Sequence, residues 1–268
     1  MLLKYIRLGS SNGIGRATAI IFAHEGAKVT ITGRDNLALQ VGTFVKTIKV
    51  TEEECLKAGA KNDDILELIG DITKEDVQDK LINETVKKFG KLDILINNHG
   101  GAVKEKDASG NFIFSGFDAT MDLNCKSSFA MTVKAMPHLL KTKGCIVNVS
   151  SIASTTPSVP ATYYAMAKAA LDHMTRIMAA KYAKDGVRVN CVNRIWFKFK
   201  IREVLEESGI PCGRFATPED IAKPIAFLAD NDAAAYVTGH CMVADGGLVL
   251  FHGGFENPKY VALRSGKS

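Results

Sequence analysis

The sequence of 268 residues contains no apolar run approaching the roughly eighteen residues that a bilayer-crossing helix needs. Its first residues, MLLKYIRLG, lack the apolar core of about seven or more residues that marks a secretory signal. Six cysteines, Cys55, Cys125, Cys145, Cys191, Cys212 and Cys241, are widely separated and form no Cys-x-x-Cys pair. That spacing argues against both a disulfide framework and a local zinc knuckle, so reduced thiols and no metal are expected. No Pro-, Gly- or Ser-rich linker divides the chain and no repeat is apparent, so residues 1–268 read as a single domain large enough to bury a substantial core. Basic residues are not gathered in a block either. The net charge of +5 arises from 34 Lys and Arg dispersed among 29 Asp and Glu, and no nucleic-acid partner is expected. Together these absences predict a cytoplasmic protein with no membrane span.

What is present is an alternation of short β-like apolar runs with longer helical ones, the pattern of a parallel α/β fold. Residues 2–8 predict a first strand, followed by GSSNGIG and a helix from Ile14 to Glu25. A strand, a glycine turn and a helix form the context of a dinucleotide site: small residues let the backbone approach a pyrophosphate, and the helix N-terminus favours the anion. Gly9, Ser11, Asn12, Gly13, Ile14 and Gly15 are the candidate contacts. Lys4 and Arg7 are poor residues for a buried parallel strand, which predicts a short or frayed first strand. Val29 to Thr32 predict a second strand ending in Gly33-Arg34-Asp35. An acidic residue at this strand end accepts the adenosine ribose hydroxyls of NAD; here the position is Gly33, and Arg34 offers a fixed cation to a 2′-phosphate, which favours NADP over NAD.

Residues 37–50, LALQVGTFVKTIKV, lose helical periodicity and read as an insertion or altered segment. Ile65 to Ile69 predict the third strand, with Thr73 as the expected cap of a helix ending at Phe89. Leu92 to Ile96 predict the fourth, ending in Asn97-Asn98-His99-Gly100, and residues 101–116 a polar loop. A helix over Phe117 to Leu140 is expected to turn Met121, Cys125, Phe129, Val133, Met136 and Leu140 inward. After it the apolar run Ile146 to Val149 ends in Ser150 and Ser151, and a helix over Ala161 to Lys184 carries Tyr164 and Lys168. Four residues apart, these two share a helix face, and an ammonium beside a phenol draws the phenol down from its ordinary pKa of about 10. The pair can therefore donate and accept a proton. Tyr163 has no such partner, since Ala167 occupies the equivalent place. Val187 to Val192 predict a sixth strand, Pro218 to Ala229 a helix capped by Thr217, and residues 240–244 the last strand before Asp245-Gly246-Gly247.

Ser151, a Tyr-x-x-x-Lys unit thirteen residues later, the G-x-x-x-G-x-G turn, Asn-Asn-x-Gly and Leu123-Asn124 occur in the order found in the short-chain dehydrogenase/reductase family, which this chain resembles over residues 5 to 248 or so. The resemblance implies a Rossmann-like α/β fold, a doubly wound parallel sheet of about seven strands with helices on both faces. It also implies that Tyr164 is the acid/base and that Lys168 modulates it and binds the ribose. Ser151 would bind the reacting oxygen, and Asn124 would hold a water linked to the lysine. Asp71 and Ile72 would meet the adenine, and the segment with Asn98 and Gly100 would lie along the nicotinamide ribose. The implied cofactor is NADP, the substrate a small carbonyl compound or alcohol, and the assembly a homodimer or homotetramer. Leu8 stands where the family has Thr, His99 replaces a small alanine, and Arg194-Ile195 replace Pro-Gly at the start of a lid that reads as truncated, at about 194–212. Those departures support an alternative reading, a dinucleotide-binding protein with an impaired substrate site.

Overall fold

A computed structural model describes residues 4–8, 13–34, 48–157, 161–195 and 210–252. Gly9, Ser11 and Asn12, most of the segment 37–50, and most of the lid at about 194–212 lie outside the described residues. Seven strands form one sheet: β1 (Lys4–Leu8), β2 (Lys28–Gly33), β3 (Ile65–Ile69), β4 (Ile94–Asn97), β5 (Cys145–Ser151), β6 (Arg188–Arg194) and β7 (Cys241–Ala244). Their order is β3-β2-β1-β4-β5-β6-β7, and every pairing is parallel. The order reverses between β1 and β4. At such a switch point the crossovers leave in opposite directions and open a crevice at the C-terminal strand ends.

Helices cover both faces, and the two-residue period of the strands divides their side chains between two cores. On one side Ile94, Ile96, Val147 and Val149 pack with residues of α1 (Gly13–His24), α2 (Ile48–Lys57) and α7 (Pro218–Ala229). On the other, Leu95 and Ile146 pack with residues of α3 (Glu75–Phe89), α5 (Ser127–Thr142) and α6 (Thr162–Tyr182). Because β4 and β5 are buried along their whole length, they read in sequence as continuous apolar runs. A polar ladder crosses this interior: Asn97 Nδ2 donates to Asn148 Oδ1 (2.8 Å), and Asn148 Nδ2 donates to Thr175 Oγ1 of α6 (2.9 Å). Asn97 and Asn148 are register partners, so the ladder ties β4 to β5 and β5 to the helix behind them.

Three local expectations are corrected. The segment over 37–50, read as an insertion or altered segment, has its described end, 48–50, in the start of α2, where Thr51 and Cys55 are buried and Arg16 Nε of α1 reaches Thr51 Oγ1 at 3.2 Å. Packing against α1 therefore outweighs the weak helical propensity of IKVT. Thr73 does not cap α3. Lys74 is the cap residue, and Thr73 instead gives both its N–H (3.0 Å) and its hydroxyl (2.9 Å) to Asp71 Oδ1.

The third correction concerns the helix expected over Phe117 to Leu140. It starts earlier, as α4 (Phe114–Met121), passes through one wide π-turn (Asp122–Lys126) and continues as α5. Phe129, Val133 and Leu140, expected inside, are exposed, and the core face is Ser128, Met131, Thr132, Ala135, Met136 and Leu139. The true inner face is rich in small and hydroxyl side chains, so a reading by hydrophobicity selects its neighbour. Ser127 and Ser128 fit inside because their hydroxyls donate back to Leu123 O (2.9 Å) and Asn124 O (3.3 Å).

Candidate active site

The crevice is built by the ends of β4, β5 and β6 and the first turns of α6. Ser151 closes β5 at 1% exposure, and Tyr164 and Lys168 project from α6 at 2% each. The Lys168 ammonium donates to the carbonyl of Val149 (2.9 Å) and lies 5.6 Å from the centroid of the Tyr164 ring. One strand carbonyl thus anchors the cation while its helix presents the phenol. Burial pushes the phenol's pKa up, but the charges of Lys168 and Arg194 and a hydrogen bond with Ser151 outweigh it, and the net shift is below the ordinary tyrosine value. Burial likewise lowers Lys168, partly opposed by Tyr164 and Asp172. Arg194 stands directly beside Ser151 in register at the end of β6, so the residue that replaces a family proline is a second cation of the site.

Asn124 lies in the π-turn, fully buried: both Nδ2 donors are engaged, by Gly101 O and Thr120 O (both 2.8 Å), and Oδ1 accepts from Gly101 N (3.0 Å). Its side chain therefore fixes the chain just after Gly100. Gly100 has a φ of +153°, and a Cβ there would come within 2.7 Å of Asn124 Oδ1 and 3.1 Å of Lys168 Nζ. Only a residue without a side chain leaves that hollow open.

His99 is buried beside it. Ser127 and Ser128 spend their hydroxyl protons on carbonyls, so both oxygens accept from His99 Nε2, at 2.7 and 3.2 Å, which assigns the neutral tautomer with its proton on Nε2. Burial and the nearby Lys168 charge push its pKa down to about 3, and the ring takes no part in acid–base chemistry near neutrality. It is a structural link between the end of β4 and α5.

Toward the other end of the crevice, α1 begins at Gly13, whose φ of +52° is a left-handed conformation, and its positive dipole end faces the switch point with Ile14 and Gly15 in the first turn. Arg34 is exposed just after β2, whose last residue Gly33 pairs with Ile69. Asp71, held below the usual carboxylate range chiefly by the Thr73 N–H, with Arg34 contributing, and the buried Ile72 follow β3. The structure thus brings Asn124, Ser151, Tyr164, Lys168 and Gly100 together, and places Gly13, Ile14, Gly15, Arg34, Asp71 and Ile72 along the same strand ends. Asn98 sits between the two groups, after β4. The hollow at Gly100 and the dipole end at Gly13 fit a dinucleotide lying across the switch point.

Sequence reading missed Glu105. From the loop before α4 its carboxylate accepts the N–H groups of Thr162 (2.8 Å), Tyr163 (2.8 Å) and Tyr164 (3.3 Å), capping the helix that carries Tyr164 and Lys168. Nothing in the local run KEKD separates this acid from a solvated one, since its partners lie 57 to 59 residues away. Tyr163 packs its ring against Phe112 (5.5 Å) and Phe117 (5.3 Å), closing the same loop onto α6.

Fold and site together define an oxidoreductase of the dinucleotide-binding class. A family model described as Enoyl-(Acyl carrier protein) reductase matches residues 9–249. The chain is 34% identical to the 3-oxoacyl-[acyl-carrier-protein] reductase FabG of Thermotoga maritima, over 90% of this chain and 96% of that protein. Among solved structures it is similar to a short-chain dehydrogenase/reductase of unknown function from Caenorhabditis elegans, solved with cofactor (TM-score 0.82, 40% identity, 92% and 95% of the two chains). It is also similar to the apo form of a glucose dehydrogenase of Caenorhabditis elegans (TM-score 0.80, 41% identity, 92% and 98% of the two chains). The chain belongs to the short-chain dehydrogenase/reductase family, NAD(P)-dependent enzymes acting on CH–OH and C=O groups.

Replacing the Glu105 cap should be felt at both the helix and the site. Glu105→Ala is expected to cost about 1 to 2 kcal/mol in urea unfolding, the usual magnitude of a lost helix cap, and to lower kcat, whereas Glu105→Gln, which keeps one acceptor, should lose less of both. Equal stability of all three proteins would remove Glu105 from this role.

Proposed function

We propose that the enzyme transfers hydride between NADP(H) and a small carbonyl compound or secondary alcohol, with Tyr164 as proton donor and acceptor. The observation that carries this is the buried Tyr164 phenol, hydrogen-bonded to Ser151 and set in the field of Lys168 and Arg194. The nicotinamide, when bound, supplies or takes up the hydride. Ser151 and Tyr164 hold the substrate oxygen between two hydroxyls, and in the reductive direction Tyr164 gives it a proton. Lys168 keeps the resulting phenolate stable and presents its remaining donors to a ribose. Asn124 ties down Gly101 through both its N–H and its carbonyl, and the lone pair left on its Oδ1 would take the water that links it to Lys168.

Lys168 and Gly100 would hold the ribose next to the nicotinamide, and Asn98 lies on the same segment. Gly9, Ser11, Asn12, Gly13, Ile14 and Gly15 would take the pyrophosphate, and Asp71 and Ile72 the adenine. NADP is preferred because Gly33 places no acid at the end of β2 and Arg34 follows it, within electrostatic reach of Asp71. The named relatives act on different compounds, an acyl-carrier thioester for one and glucose for another, so the substrate class stays at the level of the reacting carbonyl.

Three outcomes follow from this reading. Tyr164→Phe should lower turnover by about a thousandfold with NADPH binding intact, the range expected for loss of a general acid. Substantial residual turnover would show that another group moves the proton. Arg34→Ala should cut the NADPH-over-NADH preference in kcat/KM by about tenfold through loss of a charge-assisted phosphate contact. An unchanged ratio would show that Arg34 does not read the 2′-phosphate. The family's dimeric or tetrameric assembly is supported by the outward Phe129, Val133 and Leu140 of α5 and Met166 and Ile177 of α6. Light scattering of the full chain should therefore give at least a dimer, and a monomer at micromolar concentration would rule this assembly out.

A further inference from the structure

Behind Tyr164 and Lys168, one helical turn along α6, lies a group of side chains that touches neither substrate nor cofactor in the proposed reaction, although its carboxylate, Asp172, also faces the Lys168 charge. Asp172 of α6, Cys191 of β6 and Cys241 of β7 bring a carboxylate oxygen and two sulfurs within 4.8 Å of one another. Among the described residues they are the one such group of three potential metal donors. Asp172 and Cys191 are buried, and Cys241 is partly buried on the edge strand, which leaves an approach from the open side of the sheet.

The arrangement is fixed from several directions. Cys191 and Cys241 are register partners in adjacent parallel strands, so their side chains leave the sheet on the same face. The Cys191 thiol lies 3.5 Å from Asp172 Oδ1 and 3.0 Å from Asn193 Oδ1, and Cys241 Sγ lies 4.0 Å from the backbone carbonyl of Asp172. Asn193 Nδ2 donates to the second Asp172 oxygen at 2.6 Å and to Ser154 Oγ at 2.9 Å, which orients the carboxylate toward the sulfurs. Asn193 thus supplies the supporting hydrogen bond that a ligating carboxylate needs.

We propose that Asp172, Cys191 and Cys241 form a binding site for a zinc-class divalent cation, distinct from the dinucleotide crevice. Zinc takes thiolate sulfur at about 2.3 Å and carboxylate oxygen at about 2.0 to 2.2 Å, so two sulfurs on one tetrahedral ion stand roughly 3.8 Å apart. The observed spread of at most 4.8 Å needs a contraction of about 1 Å, within reach of rotamer adjustment. Asn193 Oδ1 or a water from the edge side completes four ligands.

The charges also balance. One M²⁺ enters, each thiol loses its proton as its sulfur–metal bond forms, and the carboxylate stays ionised; the cluster carries one net negative charge before and after, and two protons go to solvent. No oxidant or reductant takes part. A net charge that does not change is what a buried site can accommodate, since an added uncompensated charge would carry a large desolvation penalty. The bound ion would pin the edge strand β7 to β6 and α6. Spacing could not reveal it, because the three ligands come from three elements far apart in sequence.

The test uses the reduced full-length chain titrated with cobalt(II) or zinc(II) chloride alone. Cobalt should give a thiolate-to-metal charge-transfer band saturating at one equivalent, with two protons released, and excess zinc should raise Tm. Cys191→Ser and Cys241→Ser should each lose the band and the zinc-dependent rise in Tm. Cys212→Ser, at an exposed thiol, should keep both. The apo-state circular dichroism and Tm of each variant establish that it is folded. A wild-type chain without the band, a band that survives Cys241→Ser, or one that disappears in Cys212→Ser would overturn the proposal. None of these readouts depends on turnover, so the result stands apart from the reductase reading.

Discussion

A lysine amine buried at 2% exposure is costly unless its charge is answered, and the surroundings of Lys168 exist to answer it. Val149 O accepts one of its protons, the Tyr164 ring lies alongside, and Asp172 adds a negative charge one helical turn away. Each partner comes from an element that the sheet order forces to converge: β5 delivers the carbonyl and Ser151, and α6, packed across β5 and β6, delivers the phenol and the carboxylate. Gly100 is fitted to the same place, since its φ of +153° and a Cβ contact of 2.7 Å with Asn124 Oδ1, with the amine at 3.1 Å, all disfavour a side chain there. Much of the architecture can be understood as the means of placing one buried cation beside one buried phenol.

The supports for that placement are mostly polar and mostly remote in sequence. Asn97, Asn148 and Thr175 lock β4, β5 and α6 in one register. Glu105 ties the first turn of α6 to the loop before α4, and Asn124 clamps the segment after β4. His99, larger than the alanine usual in the family, is accommodated because two hydroxyls of α5 accept its proton, and burial keeps it neutral. Arg194 increases the positive field at the phenol instead of weakening it. Two of the departures from the family pattern, His99 and Arg194, therefore leave Tyr164, Lys168 and Ser151 assembled.

Legibility in the sequence followed a simple physical division. Strands buried on both faces are continuous apolar runs, and β5 could be read nearly to the residue; the part-exposed edge strand β3 was legible from its ILELI run instead. Tyr164 and Lys168 could be paired because a helix repeats every 3.6 residues, so a spacing of four sets their relation. The inner face of α5 was misread because it is lined by Ser128, Thr132 and Ala135, and hydrophobicity points to the outward Phe129 and Val133 instead. A hydroxyl before a helix usually caps it, which points to Thr73; here Thr73 gives its N–H and hydroxyl to the Asp71 carboxylate instead. Glu105, and the grouping of Asp172 with Cys191 and Cys241, depend on contacts between distant segments and have no local signature.

The central claim is that the amine lowers the proton affinity of a phenol that burial alone would raise. Ultraviolet difference titration of phenolate formation, with Tyr164→Phe as the blank for the other five tyrosines, isolates this one group. In the wild-type chain Tyr164 should ionise below the ordinary tyrosine value of about 10, and in Lys168→Met, where burial stays and the charge is gone, it should move upward. Identical titration of the two proteins would contradict the account.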